Sequence, residues 1–340
     1  MIRKLTETDG VSGFEDAVRE IIINEISDCC SELKVDGMGN LIAFKEAAND
    51  PKHSKTVLLS AHMDEVGFII SGITKDGYLK FQTVGGIDTR ILISQRVRMD
   101  KIRGVIGLKA VHLTTRDDRK KTPSESELYI DIGAENREAA EKLVAIGDYF
   151  SFDSEYVEFG DMIKAKALDD RIGCAILIEM LKKSHSVNLI CTFTVQEEVG
   201  LRGAKCAVYG LSPDCALVLE GTTCSDMTGV PKNLRVTKSG GGAAISILDS
   251  ASRADSGMIE RLKKAAETRG IPYQFKASTA GGNDAGAIYT SCGGIKTASL
   301  SVPCRYIHSP VSAASKRDID SCIKIVRGFL EDYGRSAEND

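Results

Sequence analysis

Three runs of strand-forming apolar residues in this chain each give way to a histidine or a carboxylate. Val57-Leu58-Leu59-Ser60-Ala61 stops at His62, residues 188–195 (NLICTFTV) stop just before Glu197 and Glu198, and residues 215–219 (CALVL) stop at Glu220. Unbroken apolar runs of this length suit strands covered on both faces, as in a sheet packed between helices. Helical patterns lie between and after them, at 170–183, 258–269 and 313–333. Residues 14–26 (FEDAVREIIINEI) place apolar side chains at helical spacing behind Ser12-Gly13. Strands alternating with helices predict a layered α/β fold.

From about Gly67 to Lys164 the texture changes to short alternating segments and glycine turns, at Asp76-Gly77, Gly85-Gly86 and Gly104, with one helical patch at 135–145. This predicts a small β-rich domain inserted into the α/β one, so that 1–66 and 165–340 form one unit and 67–164 the other. A length of 340 residues agrees, because it exceeds the size at which one core keeps growing. Residues 338–340 read as a frayed tail.

A net charge of −4 supplies no basic field of the kind that binding nucleic acid requires. The N-terminal residues hold no apolar export segment and no later stretch is apolar enough to span a bilayer, so a cytoplasmic protein is expected, with neither nucleic acid nor membrane as partner. The ten cysteines are scattered and lack CxxC spacing. Reduced thiols are the better reading, which leaves histidine and carboxylate as the candidate metal ligands.

His62-Met63-Asp64 puts an imidazole and a carboxylate two residues apart on extended backbone, hence on one face, where Asp64 can hold the far ring nitrogen while the near one binds a metal. Asp169-Asp170 precedes an apolar helix; a single Asp there is commonly an N-cap, and of two, one can cap while the other turns to a cation. Glu197 and Glu198 follow a strand, so their side chains diverge: they form a solvated turn, or one binds metal while the other holds water. Glu220 ends another strand, and His308 lies shortly before the last helical pattern. In open α/β sheets ligands bind beyond the carboxyl ends of strands, where such residues converge. Gly240-Gly241-Gly242 lacks the spacing of a phosphate loop and reads as a flexible segment. No GxSxG nucleophile elbow occurs.

These segments, in order, closely resemble the glutamyl and deblocking aminopeptidase family, the tetrahedral aminopeptidases, which also includes proteins once described as cellulases. The resemblance covers essentially the whole chain, through GVSGFEDAVRE at 10–20, SAHMDEVGFI at 60–69, VGGIDTRIL at 84–92, ALDDRIGCA at 167–175, TVQEEVGLRGA at 194–204, LEGTT at 219–223, GGNDAGAI at 281–288 and RYIHSP at 305–310. It implies an α/β/α catalytic domain with a mixed sheet, of the co-catalytic zinc peptidase type, and an inserted β-barrel-like dimerisation domain. It also implies two divalent metal ions per subunit, zinc or cobalt or else manganese. His62 and Glu220 would hold one, Glu198 and His308 the other, and Asp169 would bridge them. Glu197 would be the general base, Asp64 the partner of the His62 ring, and the Asp169-Asp170 peptide bond cis. Related co-catalytic peptidases often have Asp where Glu220 stands. The substrates implied are peptides with a free N-terminus, and the assembly a homo-oligomer, a dimer or a tetrahedral dodecamer.

Gly282 and Arg305 are candidate substrate-binding residues. Arg305, near His308, suits an acidic side chain or peptide carboxylate, or else a structural ion pair. Two other functions compete. A glycoside hydrolase would use paired carboxylates, yet it needs no metal, leaves both histidines without a task and would have no Trp to stack on sugars. A non-catalytic oligomeric scaffold would not need every expected catalytic position to carry a competent residue.

Overall fold

The computed structural model describes residues 1–336; the tail expected at 338–340 lies outside them. The three apolar runs lie in the middle of an 11-stranded sheet, where Asn188–Thr194, Thr56–His62, Cys215–Thr223 and Thr297–Arg305 are adjacent and parallel. Antiparallel strands widen it: Leu41–Lys45 and Glu32–Val35 on one side, Ser312–Ser315, Met162–Ala165 and Val157–Phe159 on the other. The sheet is therefore mixed.

Alternation along each strand divides the core in two. Val57, Leu59 and Ala61 enter a large core with the helices Asp16–Ile26, Leu168–Leu181, Ser256–Glu267 and Lys316–Ser336. Leu58 points the other way, to a smaller core with Ala204, Val208, Ala285 and Ile288. Helices on both faces exclude water from the central strands, as their unbroken apolar composition requires.

The insertion is a closed six-stranded barrel of Gly67–Ile73, Leu79–Val84, Tyr129–Asp131, Ile102–Gly107, Arg96–Met99 and Tyr149–Phe152, in that order around the wall. It has its own core, in which Phe68 meets Phe81 and Phe152 edge-on at 5.2 and 5.1 Å.

Three expectations need correction. The last barrel strand ends at Phe152, short of 164, because Met162–Ala165 pairs with Ser312–Ser315 and buries Ile163 and Ala165 in the catalytic core. The C-terminal helix starts at Lys316 rather than 313, since the small residues Ser312–Ser315 are used as a buried strand. The triple glycine is pinned: Gly240 N and Gly242 N donate to Asp318 at 2.7 and 2.8 Å, and Gly242 has φ 89° with Pro272 O too close to admit a Cβ. All ten cysteines are free. No helix among the described residues is long and apolar enough to cross a membrane.

Candidate active site

The candidate side chains gather at the carboxyl ends of the four parallel strands. His62 is the last residue of its strand. Glu197 and Glu198 follow Asn188–Thr194, and His308 follows Thr297–Arg305. Glu220 lies inside its strand, which continues to Thr223 instead of stopping at Leu219, because pairing with Thr297–Arg305 persists to Thr223 and Cys304. Pairing with the His62 strand stops at Val218 and Ser60, so Glu220 emerges where those two strands have parted.

Asp169 sits between the histidines. Its Oδ1 is 3.4 Å from His62 Nε2 and its Oδ2 is 3.6 Å from His308 Nε2. On the His62 side Glu220 Oε2 lies 3.7 Å from the same imidazole nitrogen; on the His308 side Glu198 Oε1 lies at 3.4 Å. Three groups of possible metal ligands result: His62 with Asp169 and Glu220, His308 with Asp169 and Glu198, and His62 with Glu197 and Glu198. Within each, the potential ligand atoms all lie within 4.8 Å of one another. Glu197 Oε2 is 4.0 Å from His62 Nε2, at the side of the first group.

The two neighbouring aspartates reach different places. The peptide between Asp169 and Asp170 is cis. Asp169 turns into the site and accepts Gly221 N at 3.1 Å, an approach that leaves no room for a Cβ on Gly221. Asp170 stays with the backbone, accepting His62 N at 3.2 Å and Gly173 N at 3.0 Å. Both ring orientations are fixed from behind. His62 Nδ1 faces Asp64 O at 3.1 Å and Asp64 Oδ1 at 3.3 Å, and His308 Nδ1 donates to Gly86 O at 2.9 Å. Gly86 belongs to the barrel insertion, so the inserted domain supplies part of the site. The sequence marks Gly86 only as part of a glycine turn within the VGGIDTRIL motif.

The electrostatics are those of a crowded acidic site. Burial drives Glu220 and Glu197 well above the usual carboxylate range, reinforced by Asp170 at Glu220 and by Asp284 and Glu198 at Glu197. Burial, with Asp169 adding to it, lifts Glu198 to about 7. Burial opposes charge on the imidazoles, yet the hydrogen bond with Asp169 and the surrounding carboxylates bring His308 to about 9 and His62 well above its ordinary value. Asp169, although buried, is held well below the ordinary value by hydrogen bonds from both histidines.

Buried carboxylates that outnumber their cationic partners call for metal ions or protons. One atom favours a metal: Glu220 Oε1 is buried without a hydrogen-bond partner. The all-oxygen-and-nitrogen donor set fits zinc, cobalt or manganese. Of the two alternatives read for Arg305, the fold shows the structural ion pair. Its Nε and Nη2 donate to both carboxylate oxygens of Asp226 at 2.7 and 2.8 Å. Gly282 packs on residues 250–251, where Ala251 would collide with a Cβ.

Histidine–carboxylate groups that could hold metal ions, gathered at the strand ends of a mixed α/β sheet, suit a metal-dependent hydrolase. The chain belongs to the M42 glutamyl aminopeptidase family, whose profile it matches over residues 39–325, and is an aminopeptidase, a metallopeptidase acting on peptide bonds. A candidate aminopeptidase of Acetivibrio thermocellus is 40% identical over 328 residues, 96% of either chain. An aminopeptidase from the archaeon Desulfurococcus kamchatkensis superposes with a TM-score of 0.92 at 37% identity, covering 99% of this chain and 96% of that one. The TET1 peptidase of Pyrococcus horikoshii, which can assemble into a tetrahedron or a large octahedral shell, gives a TM-score of 0.85 at 36% identity over 97% of this chain and 98% of its own.

Proposed function

We propose that this aminopeptidase removes N-terminal residues from peptides at a site for two divalent ions, with Glu197 as general base. His62 and Glu220 would hold one ion, Glu198 and His308 the other, and Asp169 both. The observation that carries this reading is the position of Asp169, each of whose carboxylate oxygens faces a different histidine at 3.4 or 3.6 Å. When bound, a pair of such ions lowers the pKa of a water and polarises the scissile carbonyl. Glu197, 4.0 Å from His62 Nε2, would take a proton from the attacking water and return it to the departing amine, as the resemblance implies. Asp64 and the carbonyl of Gly86 keep the two imidazoles oriented, as partners behind metal-binding histidines do. The substrate's free α-amine anchors in the same acidic site, which restricts cleavage to the chain end.

The metal is zinc or cobalt, with manganese also suited to the donors. The protein acts as a homo-oligomer to which the inserted barrel, 67–152, contributes contacts. Exposed Val111, Leu113, Leu143 and Ile146 on the insertion, and the assembly of the Pyrococcus horikoshii relative, support this.

Aminoacyl chromogenic substrates, run beside carboxymethylcellulose, test the reading. A chelator should bring aminopeptidase turnover to background, and added Zn, Co or Mn should restore it. Full turnover in protein shown by elemental analysis to be metal-free would overturn it.

A further inference from the structure

The turn carrying Glu197 and Glu198 is held by side chains from the first 64 residues. Four consecutive backbone N–H groups each donate to a side-chain oxygen: Val195 N to Asn40 Oδ1 at 2.9 Å, Gln196 N to Glu15 Oε1 at 3.1 Å, Glu197 N to Asp64 Oδ1 at 3.0 Å, and Glu198 N to Asp64 Oδ2 at 3.1 Å. Asp64 also attends the His62 ring. Glu15 has no such second duty. It is only 4% exposed, and the oxygen that accepts Gln196 N also accepts Gly13 N at 2.7 Å, which fixes it in place.

Gln196 is the residue at which this grip matters most. Its φ is 56°, in the left-handed region that a non-glycine residue occupies at a cost and keeps only when its surroundings enforce it. The turn reverses there: Gln196 O accepts Arg202 N, and Glu197 O accepts Gly200 N and Leu201 N. Without the acceptor from Glu15, a part-buried N–H loses its partner and Gln196 can relax towards negative φ. The two glutamates that follow would then swing away from Asp169 and the histidines.

We infer that Glu15 is a positioning residue for the peptidase reaction: by holding the Gln196 amide it maintains the left-handed turn that aims Glu197 and Glu198 into the site. The inference rests on the roles proposed above for those two glutamates.

Glu15→Gln, Glu15→Asp and Glu15→Ala test it in the full-length holoenzyme, with Glu197→Gln alongside and rates expressed per folded, metal-loaded protein. Gln keeps an acceptor oxygen at the right reach; Asp keeps the charge but withdraws the oxygen by one methylene. The Gln variant should therefore stay close to native, while Asp and Ala lose about 10²-fold in kcat with little change in KM, the scale of a misplaced reacting group. Affinity for the more weakly held metal, measured by competition with a chelating dye, should fall in Asp and Ala and recover in Gln. A merely structural role would lower the melting temperature and leave kcat per folded, loaded molecule unchanged. Native kcat and metal affinity in the Ala variant would overturn the inference. So would an impaired Gln variant beside a native Asp variant, and this comparison still decides if Ala does not fold. Native turnover in Glu197→Gln would instead overturn the assignment of the base.

Discussion

Glu197 and Glu198 share a turn and a burial environment, yet they meet different partners. Glu198 Oε1 faces His308 Nε2 at 3.4 Å, opposite Asp169, whereas Glu197 reaches only the flank of His62 at 4.0 Å. Their substitution should separate accordingly. Glu197→Gln should keep two metals and lose roughly 10²- to 10⁴-fold in turnover, the range for a removed acid/base group. Glu198→Gln should lose metal first and activity as a result, with partial rescue by excess metal. Metal stoichiometry and turnover measured on both variants check the pair, and the opposite pattern would exchange their roles. The two aspartates differ in the same way: the residues by themselves allowed one to cap and one to bind, and in the fold Asp169 accepts Gly221 N while Asp170 accepts His62 N and Gly173 N.

At the level of elements, the site depends on how the barrel is fastened to the sheet. Asp9 accepts Arg98 Nε at 2.9 Å and Ser151 Oγ at 2.7 Å from the barrel, and pairs with Lys166 at 3.0 Å. Lys166 in turn meets Glu65 at 2.5 Å, and Arg171, on the helix that begins beside Asp169, lies 3.5 Å from the same oxygen and donates to Met63 O at 2.6 Å. Lys166, Glu65 and Arg171 are all essentially buried. Removing the carboxylate leaves buried cations with too little compensation, so Glu65→Ala should destabilise the protein by about 3–5 kcal/mol. The urea midpoint measures it, and an unchanged midpoint would show that Asp9 and the backbone carbonyls suffice.

The whole molecule sets two further outcomes. If the substrate's α-amine anchors in the acidic site, acetylating a peptide's N-terminus should abolish its cleavage, and equal rates on blocked and free peptides would mark an endopeptidase. Light scattering should give a mass well above the 36.7 kDa of one chain, and disruption of the apolar residues exposed on the barrel, Val111, Leu113, Leu143 and Ile146, should lower it. A constant monomer mass across concentrations would contradict the assembly.

Much of this was legible in one dimension, because burial on both faces of a parallel sheet demands apolar runs and because a site at strand ends demands that those runs stop at polar residues. The strands and the inserted β unit follow from that patterning, which also marks His62, Asp169, Asp170, Glu197, Glu198, Glu220 and His308 as candidates, while their separate roles were implied only by the resemblance. What patterning does not encode is the geometry between distant segments. The short strand at Ser312–Ser315 has no period of its own and forms only because Met162–Ala165 and Thr297–Arg305 are there to pair with it. Arg305 meets Asp226, Gly86 reaches His308, and Glu15 reaches Gln196 across 181 positions of sequence. Each of these is a hydrogen bond whose partner depends on where the chain returns, so only the tertiary structure decided it.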